Sequence, residues 1–136
     1  MEVELLKKSD IENYINLIKE IFEYEPSKES IEKLIKKEKV LIVKKNNDII
    51  ASVQIVEGYE YIKCQKFYHL YYFCVKKDYR RQGIASKLFD KVEELASKND
   101  INYVELTSGN QRRQAYYFYK SKDFKIKDTT VFVKFY

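Results

Sequence analysis

The chain has 136 residues, with 26 lysines and arginines against 21 aspartates and glutamates and a net charge of +5. That length suits one domain, 1–136, with a single sizeable core, and no apolar run approaches the roughly 20 residues of a membrane-spanning helix. Two cysteines, Cys64 and Cys74, are too few for a disulfide framework and lack metal-ligand spacing, so both are expected to be reduced, partly buried thiols and no metal is expected.

A basic charge balance raises the question of nucleic acid. The lysines, however, alternate with glutamates, as in Ile31-Glu-Lys-Leu-Ile-Lys-Lys-Glu-Lys39, the pattern of a solvated helix face rather than of a patch that tracks phosphates. The start, Met-Glu-Val-Glu, has neither a basic segment nor an apolar signal core. The expectation is a cytoplasmic protein, monomer or homodimer, without nucleic-acid or membrane partners.

In chain order, Glu2 to Leu6 alternates apolar and acidic residues and predicts a half-buried strand. Ser9 or Asp10 caps a helix running to about Tyr24, with Ile11, Tyr14, Ile15, Ile18 and Phe22 on one face, and Pro26 ends that segment. Ser27 starts a shorter helix through about Lys37 carrying Ile31, Leu34 and Ile35. Val40–Lys45 and Ile49–Tyr59 are strand-like runs around Asn46-Asn47-Asp48, a hairpin turn sequence. Gly58 closes the second strand or marks a bulge. Glu60 to Lys66 is loop or a continuing edge.

Phe67–Val75 is the next strand, and from His69 onward its aromatic and apolar residues predict burial on both faces. After a polar break at Lys76–Tyr79, an amphipathic helix covers Gly83–Lys98, with Ile84, Leu88, Phe89, Val92, Leu95 and Ala96 at helical spacing. Asn99-Asp100 stop it. A strand at Ile101–Thr107, a loop at Ser108-Gly109-Asn110, a helix opening at Gln111 and two final strands near Phe124–Lys127 and Thr130–Tyr136 complete the chain. The expected fold is α/β with a mixed sheet, about seven strands and four helices in the order βααβββαβαββ.

One junction carries chemistry. A strand, then Arg80-Arg81-Gln82-Gly83-Ile84-Ala85-Ser86, then a helix, points unpaired backbone N–H groups at an anion; the helix dipole adds attraction and a glycine allows close approach. Arg80-x-x-Gly83-x-Ala85 resembles the (Gln/Arg)-x-x-Gly-x-(Gly/Ala) signature of the GNAT superfamily of N-acetyltransferases. Ala115-x-x-Phe118-Tyr119-x-x-x-Asp123-Phe124 resembles that family's Ala-x-x-Phe-Tyr-x-x-x-Gly-Phe pattern. The departure is Asp123, where the family has a helix-ending glycine; aspartate tolerates a left-handed backbone better than most residues. The element order is the family's throughout, while the residue detail covers about 75 to 124.

The resemblance implies an acetyl-coenzyme A-dependent N-acetyltransferase working by direct transfer in a ternary complex. Phe73, Cys74 and Val75 would then offer backbone groups to the pantetheine arm and the acetyl carbonyl, and one N–H there would stabilise a developing oxyanion. Arg80 through Ser86 would hold the diphosphate, and Asn110 and Arg112 would stand on the cofactor side. Tyr119 would give its proton to the leaving thiolate. A phenol of pKa roughly 10 can protonate such a sulfur without itself being ionised at neutral pH.

The general base is the least legible part. His69, the only histidine, and Glu105 on the next strand are the two candidates, working through water. Tyr71 and Tyr72 stand where many family members carry a carboxylate and are read as acceptor-side residues. Carboxylates expected near the acceptor are few (Glu57, Glu60, Glu105) and tyrosines many. This favours a small-molecule or peptide acceptor with one reactive amine and an apolar or aromatic body, since a polycation needs several opposing charges. Two rivals are a regulatory module that binds acetyl-coenzyme A without turnover and a nucleic-acid-binding module using its tyrosines for stacking. Tyr119 speaks against the first, and the second leaves the Arg80–Ala85 turn unexplained.

Overall fold

The asparagines at 46 and 47 decide how the first hairpin turns. Both lie at positive φ, 52° and 71°, as a two-residue turn matched to right-handed strand twist requires and as asparagine tolerates. They join β2 (Lys39–Lys45) to β3 (Asp48–Glu60). The computed structural model describes residues 1–136, and its contacts divide the chain into two compact units, Met1–Leu106 and Thr107–Tyr136.

The first unit holds one five-stranded sheet in the order β1-β2-β3-β4-β5, with β1 at Val3–Leu5, β4 at Gln65–Val75 and β5 at Tyr103–Leu106. Neighbours are antiparallel except β4 and β5, which run parallel and are joined by helix α3 (Ile84–Lys98). Alternation along β2 divides the core between the sheet faces. Val40 and Ile42 join Leu6, Ile49 and Cys74 in a cluster with Ile11, Tyr14, Leu17 and Ile18 of α1 (Ile11–Phe22) and Ile31 of α2 (Lys28–Lys37). Leu41 faces the other way, sharing a depression with Val3, Leu5 and the Lys91 and Leu95 of α3. Tyr68 also belongs to the α3 face: its buried hydroxyl lies 3.5 Å from the Leu95 carbonyl and accepts a bond from Asn99 Nδ2 at 3.2 Å.

Ser27 caps α2, its Oγ accepting from the Ser30 N–H at 3.1 Å. At α1 Asp10 stands at the N-cap position, one of the two residues expected there, but its side chain makes no cap bond to the helix. Ser9 and Asp10 lie in a 3₁₀ turn, Lys8–Asp10, and the Asp10 carboxylate is used elsewhere. It accepts from the Lys7 N–H at 3.0 Å and pairs with Lys44 Nζ at 2.6 Å. Nor does Pro26 end α1: Glu23, left-handed at φ 63°, stops it three residues earlier.

Gly58 neither closes a strand nor marks a bulge. It lies inside β3, directly opposite Phe67, whose ring covers the backbone where the glycine has no side chain. Glu60 to Lys66 is a four-residue turn, 61–64, between the ladder ends, tightened by the Glu60 carboxylate, which accepts from the Ile62 and Lys63 N–H groups at 3.0 and 3.2 Å. The stretch from His69 is not buried on both faces, since Tyr71 and Tyr72 are exposed.

The second unit consists of α4 (Arg113–Ser121) and a following segment without regular structure. The expected seven strands are therefore five, and the final strand pair is missing. Strand character needs a ladder partner. Here Thr129 N–H bonds to the nearby Lys127 carbonyl instead, and Val131, Phe132, Val133 and Phe135 are 71–91% exposed.

Candidate functional site

The last residues paired between β4 and β5 are Leu70 and Leu106, yet β4 continues to Val75 with β3 alone beside it. A fork results, with the β5-side edge of Tyr71–Val75 outside the β4–β5 ladder. A bulge bends β4 here. Gln54 pairs with Tyr71 and Ser52 with Cys74, so two residues of β3 span three of β4. The bulged Tyr72 takes φ 50°, which for a bulky residue costs on the order of 1–2 kcal/mol. Its ring meets Phe22 of α1 edge-on at 5.0 Å. Cys74 is buried in the α1-side cluster, and its neighbourhood pushes the Tyr14 phenol up: burial is the main cause and Cys74 adds to it. The Ser52 hydroxyl acts against that rise, although its Oγ does not reach hydrogen-bonding geometry.

Beyond Val75 a 3₁₀ turn, Lys77–Tyr79, leads to Arg80. The Arg80 side chain turns back on the strand. Its Nε donates to the Val75 carbonyl at 3.0 Å and braces the turn against the strand end. Arg81 (φ 64°) and Gly83 (φ 78°) are both left-handed, and nothing stands within 4 Å of where a Gly83 Cβ would be. Gly83 is the residue before α3, whose first turn holds no acidic side chain. The N–H groups of Ile84, Ala85 and Ser86 have no intrahelical acceptor at that end. Space, backbone donors and the positive end of a dipole therefore coincide at Arg81–Ser86, which fits a diphosphate.

Two of the candidate bases are brought together. His69 and Glu105 are register partners across β4 and β5, with Nδ1 3.5 Å from Oε1 and side chains 18% and 36% exposed. They lie one pair below the fork, on the face away from Tyr68 and α3. The Tyr71 ring lies 4.4 Å from the imidazole, and Phe67 stacks on Tyr103 at 5.2 Å. The Tyr103 phenol is raised by desolvation and by Glu105 and Glu60. Sequence reasoning took His69 and Glu105 as alternatives, because only the parallel register across α3 places them side by side.

In the second unit, α4 ends in a Schellman turn. Phe124 N–H reaches the Tyr119 carbonyl at 3.1 Å, Asp123 N–H reaches that of Lys120 at 3.2 Å, and Asp123 is left-handed at φ 67°. The aspartate thus fills the glycine position as expected. The Tyr119 ring packs edge-on to Phe118 and Phe124, each at 5.6 Å. Asn110 is exposed, and the Arg112 N–H bonds to the Gly109 carbonyl at 3.0 Å just before the helix. No group of three or more histidines, cysteines, aspartates or glutamates gathers to hold a metal, and no helix is long and apolar enough to cross a membrane.

A family model described as acetyltransferase (GNAT) family matches residues 9–124. No curated protein matches the sequence. Among solved structures the chain is similar to a ribosomal-protein-alanine N-acetyltransferase from Brucella melitensis biovar Abortus 2308, with TM-score 0.83, 16% identity and all of both chains covered. It is similar to an aminoglycoside acetyltransferase, meta-AAC0020, from an uncultured soil metagenomic sample, with TM-score 0.84, 20% identity and coverage of 99% of this chain and 95% of that one. Glucosamine-6-phosphate N-acetyltransferase from Arabidopsis thaliana gives TM-score 0.83 at 14% identity, covering 98% and 97%. At such identities the likeness is one of fold.

Proposed function

Since the chain belongs to the GNAT acetyltransferase family, we propose that it moves an acetyl group from acetyl-coenzyme A to a primary amine by direct attack in a ternary complex. The observation that carries this reading is the fork: a strand edge left by β5 at Leu70 runs straight into a left-handed glycine turn at a helix N-terminus. An extended pantetheine arm could add to the edge at Phe73, Cys74 and Val75 as a strand does, while the N–H groups of Arg81–Ser86 take the diphosphate.

Acetyl-coenzyme A supplies the acyl group as a thioester. The protein's share is to hold it, to lower the charge cost at the carbonyl oxygen and to manage protons. In this reading Arg80 keeps the turn in place, Asn110 and Arg112 serve the cofactor side, and Tyr119 gives its proton to the departing sulfur. His69 or Glu105 takes a proton from the amine, and Tyr71 and Tyr72 line the acceptor side. Burial of the Cys74 thiol in the core supports direct transfer over an acetylated cysteine.

The acceptor proposed is one amine on an apolar or aromatic body, in a small molecule or a peptide. The face around His69 supports this, carrying Phe67, Tyr71 and Tyr103 against two carboxylates, Glu105 beside the imidazole and Glu60 at the hairpin end. The test is release of free thiol from acetyl-coenzyme A with spermidine and kanamycin set against aromatic monoamines and short peptides. Fastest turnover of an aromatic monoamine or peptide is the expected result. Faster turnover of the polycations refutes the acceptor, and binding of acetyl-coenzyme A without turnover of any amine refutes the enzyme in favour of a binding module.

A further inference from the structure

We propose that His69 and Glu105 act as one device: His69 is the base that takes the proton from the acceptor amine, and Glu105 is a positioning residue that holds the imidazole. This rests on the acetyltransferase reading above and assigns a division of labour within it. The ground is placement. The two residues are direct register partners, one pair below the point where β4 and β5 part. Nδ1 of His69 lies 3.5 Å from Glu105 Oε1, longer than a formed hydrogen bond, as is common before substrate closes a site. A carboxylate on that side favours the tautomer with its proton on Nδ1 and leaves the Nε2 lone pair for the amine.

Neighbouring groups leave this role to the pair. Facing His69 are Tyr71 on its own strand, 4.4 Å ring to ring, and Glu105 with Tyr103 beyond it on β5. On β3 the residue opposite is Val56, flanked on that face by Gln54 and Gly58, none of them titratable. Of the other carboxylates on β3, Glu57 pairs with Tyr68 on the α3 face, while Glu60 shares the imidazole's face but accepts from the Ile62 and Lys63 N–H groups at the hairpin tip. Glu105 is thus the one carboxylate aligned with the imidazole, and a phenol of pKa roughly 10 is a poor base at neutral pH.

The proton balance is complete. His69 Nε2 takes one proton from the ammonium form of the acceptor and passes it to solvent. The freed lone pair forms the C–N bond as the C–S pair leaves on sulfur. The second proton lost from nitrogen balances the one that Tyr119 delivers to sulfur, so each turnover releases one proton.

The experiment is a kcat/KM profile from pH 5.5 to 10 for wild type, His69→Gln and Glu105→Gln, using 2-phenylethylamine, tyramine, tyrosine methyl ester and alanyl-phenylalanine amide, with melting curves to confirm folding. His69→Gln should lower kcat/KM by about 10²–10⁴-fold at pH 7, with the deficit shrinking toward pH 10, where the amine loses its proton unaided. Glu105→Gln should cost less, about tenfold, and the loss should fall on kcat with KM for the amine unchanged at pH 7, since it removes the hold on the imidazole and not a substrate contact. Affinity for acetyl-coenzyme A should be unchanged in both. A purely structural pair would not separate kcat from KM in this way. Active wild type with His69→Gln equally active, or with a deficit constant across pH, overturns the dyad alone. Wild type inactive on all four amines and on the wider panel overturns the acetyltransferase reading, and the dyad with it.

Discussion

The ring of Phe67 occupies the space that a side chain on Gly58 would need: a Cβ there would stand 2.8 Å from both Cε1 and Cε2. The same ring stacks on Tyr103 at 5.2 Å with an interplanar angle of 12°, so a backbone glycine on β3 fixes an aromatic pair that bridges β4 and β5. Gly58→Ala should therefore destabilise the protein by about 1–3 kcal/mol, the cost of overpacking, although alanine is ordinarily the better strand residue by roughly 0.5–1 kcal/mol. Urea unfolding of this variant, and of Gly58→Ala with Phe67→Leu, checks it. The double variant should recover part of the loss, and a single variant as stable as wild type would show that the ring moves aside freely.

Gly83 offers a test of the diphosphate cradle. Acetyl-coenzyme A at a hundredfold excess over its Kd should stabilise the wild type by about 2.7 kcal/mol, read as a rise in Tm. Gly83→Asp should abolish that rise by setting a negative charge where a phosphate belongs. Gly83→Asn, which suits a left-handed backbone and has open space around it, should retain more of it. Equal binding by the aspartate variant would refute the assignment.

Tyr119→Phe separates acid from aromatic packing. The ring contacts to Phe118 and Phe124 at 5.6 Å survive the substitution, so the aromatic packing is kept. Loss of the hydroxyl should lower kcat by about 10- to 10³-fold with cofactor affinity preserved. Unchanged kcat would leave Tyr119 a packing residue only.

Acid should weaken one specific tie. Burial raises the Asp10 carboxyl, but the Lys44 ammonium and the Lys7 N–H outweigh it and hold the group below its ordinary 3.8. The folded state therefore binds this proton less readily than the unfolded chain. The pair's contribution is whole above the ordinary value and is lost as pH falls through the depressed one. Asp10→Asn should cost about 1–2 kcal/mol at pH 7, with the gap to wild type narrowing as pH falls below 3.8 in urea melts. A gap that does not change with pH would mean that the charge contributes nothing.

Much of this was legible from local chemistry. The Asn46-Asn47 turn, the Ser27 cap and the left-handed Asp123 each depend on residues within a few positions of one another, and all three stand as the sequence predicts. What escaped it depends on register. The Tyr72 bulge, the Phe67 ring over Gly58, the Arg80 brace on Val75 and the His69–Glu105 pairing follow from which residues two strands or a turn place opposite each other, and side-chain type alone does not encode that. Asp10 misled because a residue fit for capping was taken by Lys44, more than thirty positions on. The final strands misled because alternation alone cannot supply a ladder partner.

The sheet order has a kinetic side. β2, β3 and β4 are joined in succession by two tight turns and pair as neighbours, so this meander can zip up from local contacts, the fast part of folding. β5 is different. It is four residues long, parallel, half-buried and reached only after the whole α3 crossover. The jaws that would grip the cofactor thus depend on a non-local pairing that costs more chain entropy than the meander does. A pantetheine arm laid along β4 would then do for its open end what β5 does lower down, completing as a guest the strand order that the chain itself leaves short.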